Sequence, residues 1–126
     1  MERKERNMMM YIFVAANLLL RAKLENGEKV SKKDLPDIIN KVFEAFDYKG
    51  KDAERKIMLD KLLSQFMCLL TYNEKGSKVY KVSNRDKLVI ALFSTKKEAR
   101  EFASNYRAAY NLKLPNDVRI NVKFSE

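Results

Sequence analysis

Leu70-Thr71-Tyr72-Asn73-Glu74-Lys75-Gly76-Ser77-Lys78-Val79-Tyr80-Lys81-Val82 is the stretch on which the fold class turns. Before it, apolar residues recur every three or four positions; after it, they alternate or run together. Leu70-Thr71-Tyr72 and Val79-Tyr80-Lys81-Val82 read as two strands. Asn73-Glu74-Lys75-Gly76-Ser77 between them supplies the Asn and Gly whose backbone freedom a hairpin connection needs.

Upstream, three helices are expected. The third begins after Asp52 and carries Leu59, Leu62, Leu63, Phe66, Met67 and Leu70 on one side, with Asp60, Lys61, Ser64 and Gln65 on the other. The second has Ser31 and Asp34 as competing caps and Pro36 in its first turn. Ile38, Ile39, Val42, Phe43 and Phe46 follow at helical spacing, and it ends near Asp47-Tyr48-Lys49-Gly50. The first runs from about Arg3 to Leu24 and is stopped by Asn26-Gly27. Its apolar run from Met8 to Leu20 is too short for the roughly 20 residues that span a bilayer. Glu2 and Glu5 among the first basic residues, and the lack of a small-residue cleavage site after Leu20, set aside a signal peptide. A helix apolar on nearly all sides must be covered on nearly all sides. Either the run packs against a second copy of the chain, giving a homodimer, or it is the central core helix of a monomer.

Downstream, a break at Ser83-Asn84-Arg85-Asp86 leads into Leu88-Val89-Ile90-Ala91-Leu92-Phe93, which reads as a strand buried on both faces. Thr95 and Glu98 have the spacing of a capping box and open a helix with Ala99, Phe102, Ala103, Tyr106 and Tyr110 along one face. Leu114-Pro115-Asn116-Asp117 closes it. The last strand alternates, Val118, Ile120, Val122 and Phe124 on one face and Arg119, Asn121 and Lys123 on the other. The expected fold is α+β in a single domain over residues 1–126: three N-terminal helices and a β-hairpin, then strand, helix and strand over about 87–124.

Helix, helix, helix, hairpin over about residues 8–83 resembles a winged helix, on element order and spacing alone. The resemblance makes the third helix the recognition helix, with Lys61 and Gln65 on its outward side, and the turn from Lys75 to Lys78 the wing. It implies binding to duplex DNA and, through the first helix, pairing of two copies.

Charge points the same way. The chain has 26 Lys and Arg against 17 Asp and Glu, a formal +9, which favours a polyanionic or acidic partner. Residues 1–50 hold ten basic and eight acidic side chains, whereas residues 51–126 hold sixteen and nine. The densest stretch includes Lys75, Lys78, Lys81, Lys96, Lys97, Arg100 and Arg107. On the hairpin, Lys75, Lys78 and Lys81 beside Tyr72 and Tyr80 suit a phosphate backbone, although sheet edges also carry lysines for solubility. Lys96 and Lys97 stand in the first turn of a helix, where the dipole disfavours cations; a bound anion would offset that cost, and a mixed solvated face is the alternative.

Other chemistry is disfavoured by what the sequence lacks. There is no His and one Cys, Cys68, so a Cys or His zinc site, an intrachain disulfide and imidazole acid–base catalysis have no residues to build them. Neither a Gly-rich phosphate loop nor a nucleophile elbow is present. The expectation is a non-enzymatic, intracellular protein without metal or cofactor, binding nucleic acid as a DNA-binding regulator. The competing expectation is a dimeric interaction protein that binds an acidic protein surface.

Overall fold

α1 (Arg3–Glu25), α2 (Leu35–Ala45) and α3 (Asp52–Thr71) are followed by β1 (Lys78–Asn84), β2 (Val89–Phe93), α4 (Lys96–Tyr110) and β3 (Val118–Phe124) in a computed structural model that describes residues 3–71 and 76–124. The fold is α+β, with four helices and a three-stranded antiparallel sheet among the described residues. The chain gathers into two compact units, residues 1–64 and 65–126, and α3 runs through the division.

Local signals set the helix ends. α1, α2 and α4 each stop with one residue in the left-handed region: Gly27 at φ 79°, Asp47 at φ 50° and Asn111 at φ 55°. In each case the amide after it reaches back to a carbonyl five residues earlier, Glu28 to Lys23 at 3.0 Å, Tyr48 to Phe43 at 2.9 Å and Leu112 to Arg107 at 2.9 Å. Carbonyls left over at the helix end are satisfied this way, and Gly and Asn are the residues that tolerate the turn best. At the other end of α4, Thr95 is the expected cap, but the Glu98 carboxylate meets the Thr95 hydroxyl in place of its amide. The Glu98 amide donates to Thr95 Oγ1 at 3.2 Å, and the Thr95 hydroxyl donates to Glu98 Oε1 at 2.7 Å.

In the first unit, α2 lies against α1, with Leu35, Ile38, Ile39, Val42 and Phe43 of α2 and Ile12, Phe13, Ala16 and Leu20 of α1 buried. No residue from Met8 to Leu20 is exposed; all are buried or half-buried in the single chain. The link from α2 to α3 is tied around Phe43. Gly50, at φ 53°, lies so close to that ring that a Cβ would overlap it, and the Arg55 guanidinium stacks over the ring, 4.4 Å from its centroid. Glu54 fastens the same turn. It accepts from the Lys51 amide at 2.8 Å and the Tyr48 hydroxyl at 2.7 Å. The Lys51 amide first, and the Tyr48 hydroxyl next, hold the Glu54 carboxyl below its ordinary 4.5, while the same bond and burial push the Tyr48 phenol up to about 12.

In the second unit the sheet order is β2-β1-β3. The hairpin differs from the expected one. Leu70 and Thr71 are the last turn of α3, not a strand, and the Thr71 hydroxyl donates back to the carbonyls of Met67 and Cys68 at 3.1 and 3.2 Å. Tyr72, Asn73, Glu74 and Lys75 lie outside the described residues. The strand Val79–Val82 pairs instead with β2, Tyr80 opposite Phe93 and Val82 opposite Ala91. Its connection is the break at Asn84, whose Oδ1 accepts from the amides of Asp86 and Leu88, both at 3.0 Å. An Asx turn thus makes the hairpin that was assigned to Asn73–Ser77.

α4 covers one face of the sheet. Phe93 meets Phe102 with ring centroids 5.4 Å apart, and Ala99, Phe102, Ala103, Tyr106 and Ala109 are buried. Small Ala residues among the rings let helix and sheet approach closely.

Candidate nucleic-acid interface

Strand register sorts the basic side chains. Tyr80 stands opposite Phe93 on β2 and Val122 on β3, and Val82 opposite Ala91 and Ile120. Phe93 touches α4, so these residues form the α4 side of the sheet. Side chains alternate along a strand, which sends Lys81 to the other side. There Lys81 stands beside Asn121, while Arg119 and Lys123 pair with Ser83 and Val79. Val79, Ser83 and Leu92 on this side are buried, Lys81 is half-buried, and Arg119, Asn121 and Lys123 are exposed. Arg119 and Lys123, four residues apart, are separated by about 13 Å along the strand, with Lys81 between them on the next strand. None of the residues of β1, β2 or β3 is acidic.

The expected site residues are distributed differently. Lys78 is on the α4 side, its ammonium 5.2 Å from the centroid of the Tyr80 ring. Lys96, Lys97 and Arg100 are exposed on the solvent side of α4, interleaved with Glu98 and Glu101, so α4 and the sheet separate them from Lys81. Of the hairpin and helix charges expected to act together, Lys81 therefore points to the opposite side of this unit from Lys96, Lys97 and Arg100, whereas Lys78 stays on the α4 side. Lys61 is exposed on α3, in the first unit. Lys75 lies outside the described residues.

Two of the expected contacts are structural instead. Gln65 does not face outward for base readout: it is 2% exposed, donating from Nε2 to the Leu92 carbonyl at 2.6 Å and accepting at Oε1 from the Leu92 amide at 2.7 Å. Its carboxamide imitates a neighbouring strand and closes the outer edge of β2. Arg107 is likewise withdrawn, because its guanidinium donates to the carbonyls of Leu114, Pro115 and Val118 at 3.1, 3.4 and 2.9 Å. A planar, multiply donating cation suits three carbonyls that converge in this way; the Leu114 carbonyl also accepts from the Asp117 amide at 3.1 Å.

Arg119, Asn121 and Lys123 were not singled out from the sequence, although the alternating polar face of the last strand was. The usable signal was that this face carries two cations, an amide and no carboxylate. Near the site, Asp117 is buried, accepting from the Leu114 amide at 3.0 Å and lying 4.0 Å from Arg85. Arg119 donates to Asn116 Oδ1 at 2.8 Å. Residues 65–126 hold twelve basic and six acidic side chains. Cys68 is half-buried with its sulfur 4.0 Å from the Ser94 hydroxyl, and burial pushes its thiol up. Among the described residues, no cluster of acidic or Cys side chains has the makings of a metal site, and no helix is long and apolar enough to cross a membrane. A scan against protein-family models and searches among curated proteins and solved structures find no match to this chain.

Proposed function

We propose that the protein is a non-enzymatic nucleic-acid-binding protein whose phosphate-contacting surface is the β3 half of the sheet face away from α4. The observation that carries this reading is the grouping by register of Lys81, Arg119, Asn121 and Lys123 on strands without a carboxylate. Cations at this spacing neutralise successive phosphates, and the Asn121 amide adds a neutral hydrogen-bonding group. Among the described residues no exposed aromatic shares the face, which favours contact with the backbone over base stacking. The winged-helix mode of reading bases fits poorly, because Gln65 is spent on Leu92 and the connection of β1 to β2 lies at Asn84. A DNA-binding regulator with a sequence-specific site is accordingly the narrower form of this proposal, and general polyanion binding the broader one.

Fluorescence anisotropy with several unrelated duplex and single-stranded oligonucleotides tests it. Lys81→Ala, Arg119→Ala and Lys123→Ala combined should weaken all sequences about equally, while Lys96→Ala, Lys97→Ala and Arg100→Ala combined should weaken them less. The reverse order would place the site on α4. The competing reading, an acidic protein partner, draws on a different feature of β3.

A further inference from the structure

The ladder leaves one sheet edge closed and the other open. Leu92 points its amide and carbonyl away from β1, to Gln65. In an antiparallel ladder, consecutive residues turn their backbone groups to opposite sides. Lys81, opposite Leu92, therefore bonds toward β3, as do Val79 and Ser83. The Asn84 amide confirms the alternation by bonding toward β2, to the Leu88 carbonyl at 2.9 Å. On β3, Arg119, Asn121 and Lys123 consequently face β1, whereas Val118, Ile120 and Val122 direct their amides and carbonyls outward. The Val118 carbonyl is taken by Arg107 at 2.9 Å. Ile120 and Val122 have no backbone partner among the described residues. Sheet edges of this kind are templates for pairing unless blocked. β2 is blocked by Gln65; among the described residues, nothing bonds the outward groups of Ile120 and Val122.

The side chains flanking this edge specify what fits it. On the α4 side stand Ile120, half-buried, and Val122, 43% exposed; on the other stand Arg119, Asn121 and Lys123. We infer that the outer edge of β3 accepts an added strand from a partner protein, with apolar side chains beside Ile120 and Val122 and acidic ones beside Arg119 and Lys123. A second copy fits poorly in the register that pairs the most apolar positions of this edge. Antiparallel self-pairing of Ile120 with Val122 sets Arg119 beside Lys123 of the other copy twice, and like charges across strands are destabilising. An acidic strand turns the same positions into attractive pairs, and main-chain bonds to Ile120 and Val122 give the affinity.

This inference uses backbone groups that the nucleic-acid reading does not need, so each can fail alone. The probe is an octapeptide of alternating Val and N-methyl-Glu, titrated into 15N-labelled protein. Its Val amides face β3 and its methylated Glu amides face away, which also prevents self-association. Saturable shifts centred on the Ile120 and Val122 amides are expected. Moving the methyl groups to the Val amides should weaken binding at least tenfold, as should replacing Glu by Lys or changing Arg119→Glu with Lys123→Glu. Val122→Pro removes an outward donor without touching the ladder and should also lose binding at least tenfold at an unchanged melting temperature. Should that variant misfold, the two methylated isomers still decide. Equal binding of the isomers, or no shift with either, overturns the inference. So do edge amides already protected in a dimer by sedimentation, which would assign the edge to a second copy. Larger shifts there with a single-stranded oligonucleotide would assign it to nucleic acid.

Discussion

Replacing Gln65 by Leu tests whether this side chain is a structural stand-in for a strand. The substitution keeps volume and apolar contact but removes the donor at 2.6 Å and the acceptor at 2.7 Å from the Leu92 backbone. Both Leu92 groups then stay buried without a partner. A stranded buried polar group costs about 1–3 kcal/mol, so the pair is worth about 2–6 kcal/mol. With a urea slope of about 1.5 kcal/mol per molar for a small protein, the midpoint should fall by about 1–4 M. The Leu92 amide should also lose hydrogen-exchange protection while Lys81 and Val82 keep theirs. Gln65→Glu makes the argument sharper. An ionised carboxylate still accepts from the Leu92 amide but faces its carbonyl with a buried charge, so the loss at pH 7 should exceed that of Leu. Protonation restores a donor, and the deficit should shrink as pH falls through the raised pKa of the new carboxyl. A Leu variant within about 0.5 kcal/mol of the parent, with Leu92 still protected, would refute the reasoning.

The remaining expectations concern the first unit and the loop before β3. Because the Glu54 carboxyl is held below its ordinary 4.5, it contributes stability that is present above that value and is lost as pH falls through the lowered one. Glu54→Gln should therefore lower the melting temperature at pH 7 and flatten the acid limb of a stability–pH curve. Tyr48, raised to about 12, should remain unionised by ultraviolet titration well above pH 10; its contribution is full below pH 10 and disappears as pH rises toward 12. Gly50→Ala combines a left-handed residue with overlap of the buried Phe43 ring, and should cost about 2–4 kcal/mol in chemical denaturation. Arg107→Ala should destabilise by about 1–3 kcal/mol, since it removes the donor to the part-buried Val118 carbonyl and the tie to Leu114 and Pro115, and leave nucleic-acid binding of the folded protein unchanged.

Features decided within a few residues were legible in the sequence. Asn26-Gly27, the Thr95 cap of α4 and the final strand over Val118–Phe124 act over three to seven positions, and each appears where it was expected. Leu69-Leu70-Thr71 was ambiguous because a short apolar run continues a helix as well as it begins a strand. The back-bonded Thr71 hydroxyl marks the helical choice. Asn84 was seen as a break, but only pairing shows that it closes a hairpin. Gln65 and Arg107 escaped for another reason. Their partners are backbone groups distant in sequence, 27 positions away for Gln65 and up to 11 for Arg107, and polar side chains at such positions look like a solvated face. The basic cluster was half visible, since the stripe on β3 could be read, whereas Lys81 joins it only through register.

The salt dependence of binding to a random duplex tests the central claim most directly. Each phosphate contact contributes a slope of about −0.9 in log affinity against log salt. Changing Lys81, Arg119 and Lys123 to Ala together should weaken binding at low salt and flatten the slope by up to about 2.7, with the fold retained by circular dichroism. Lack of binding by the parent at about 50 mM salt, or an unchanged slope in the triple variant, would contradict it.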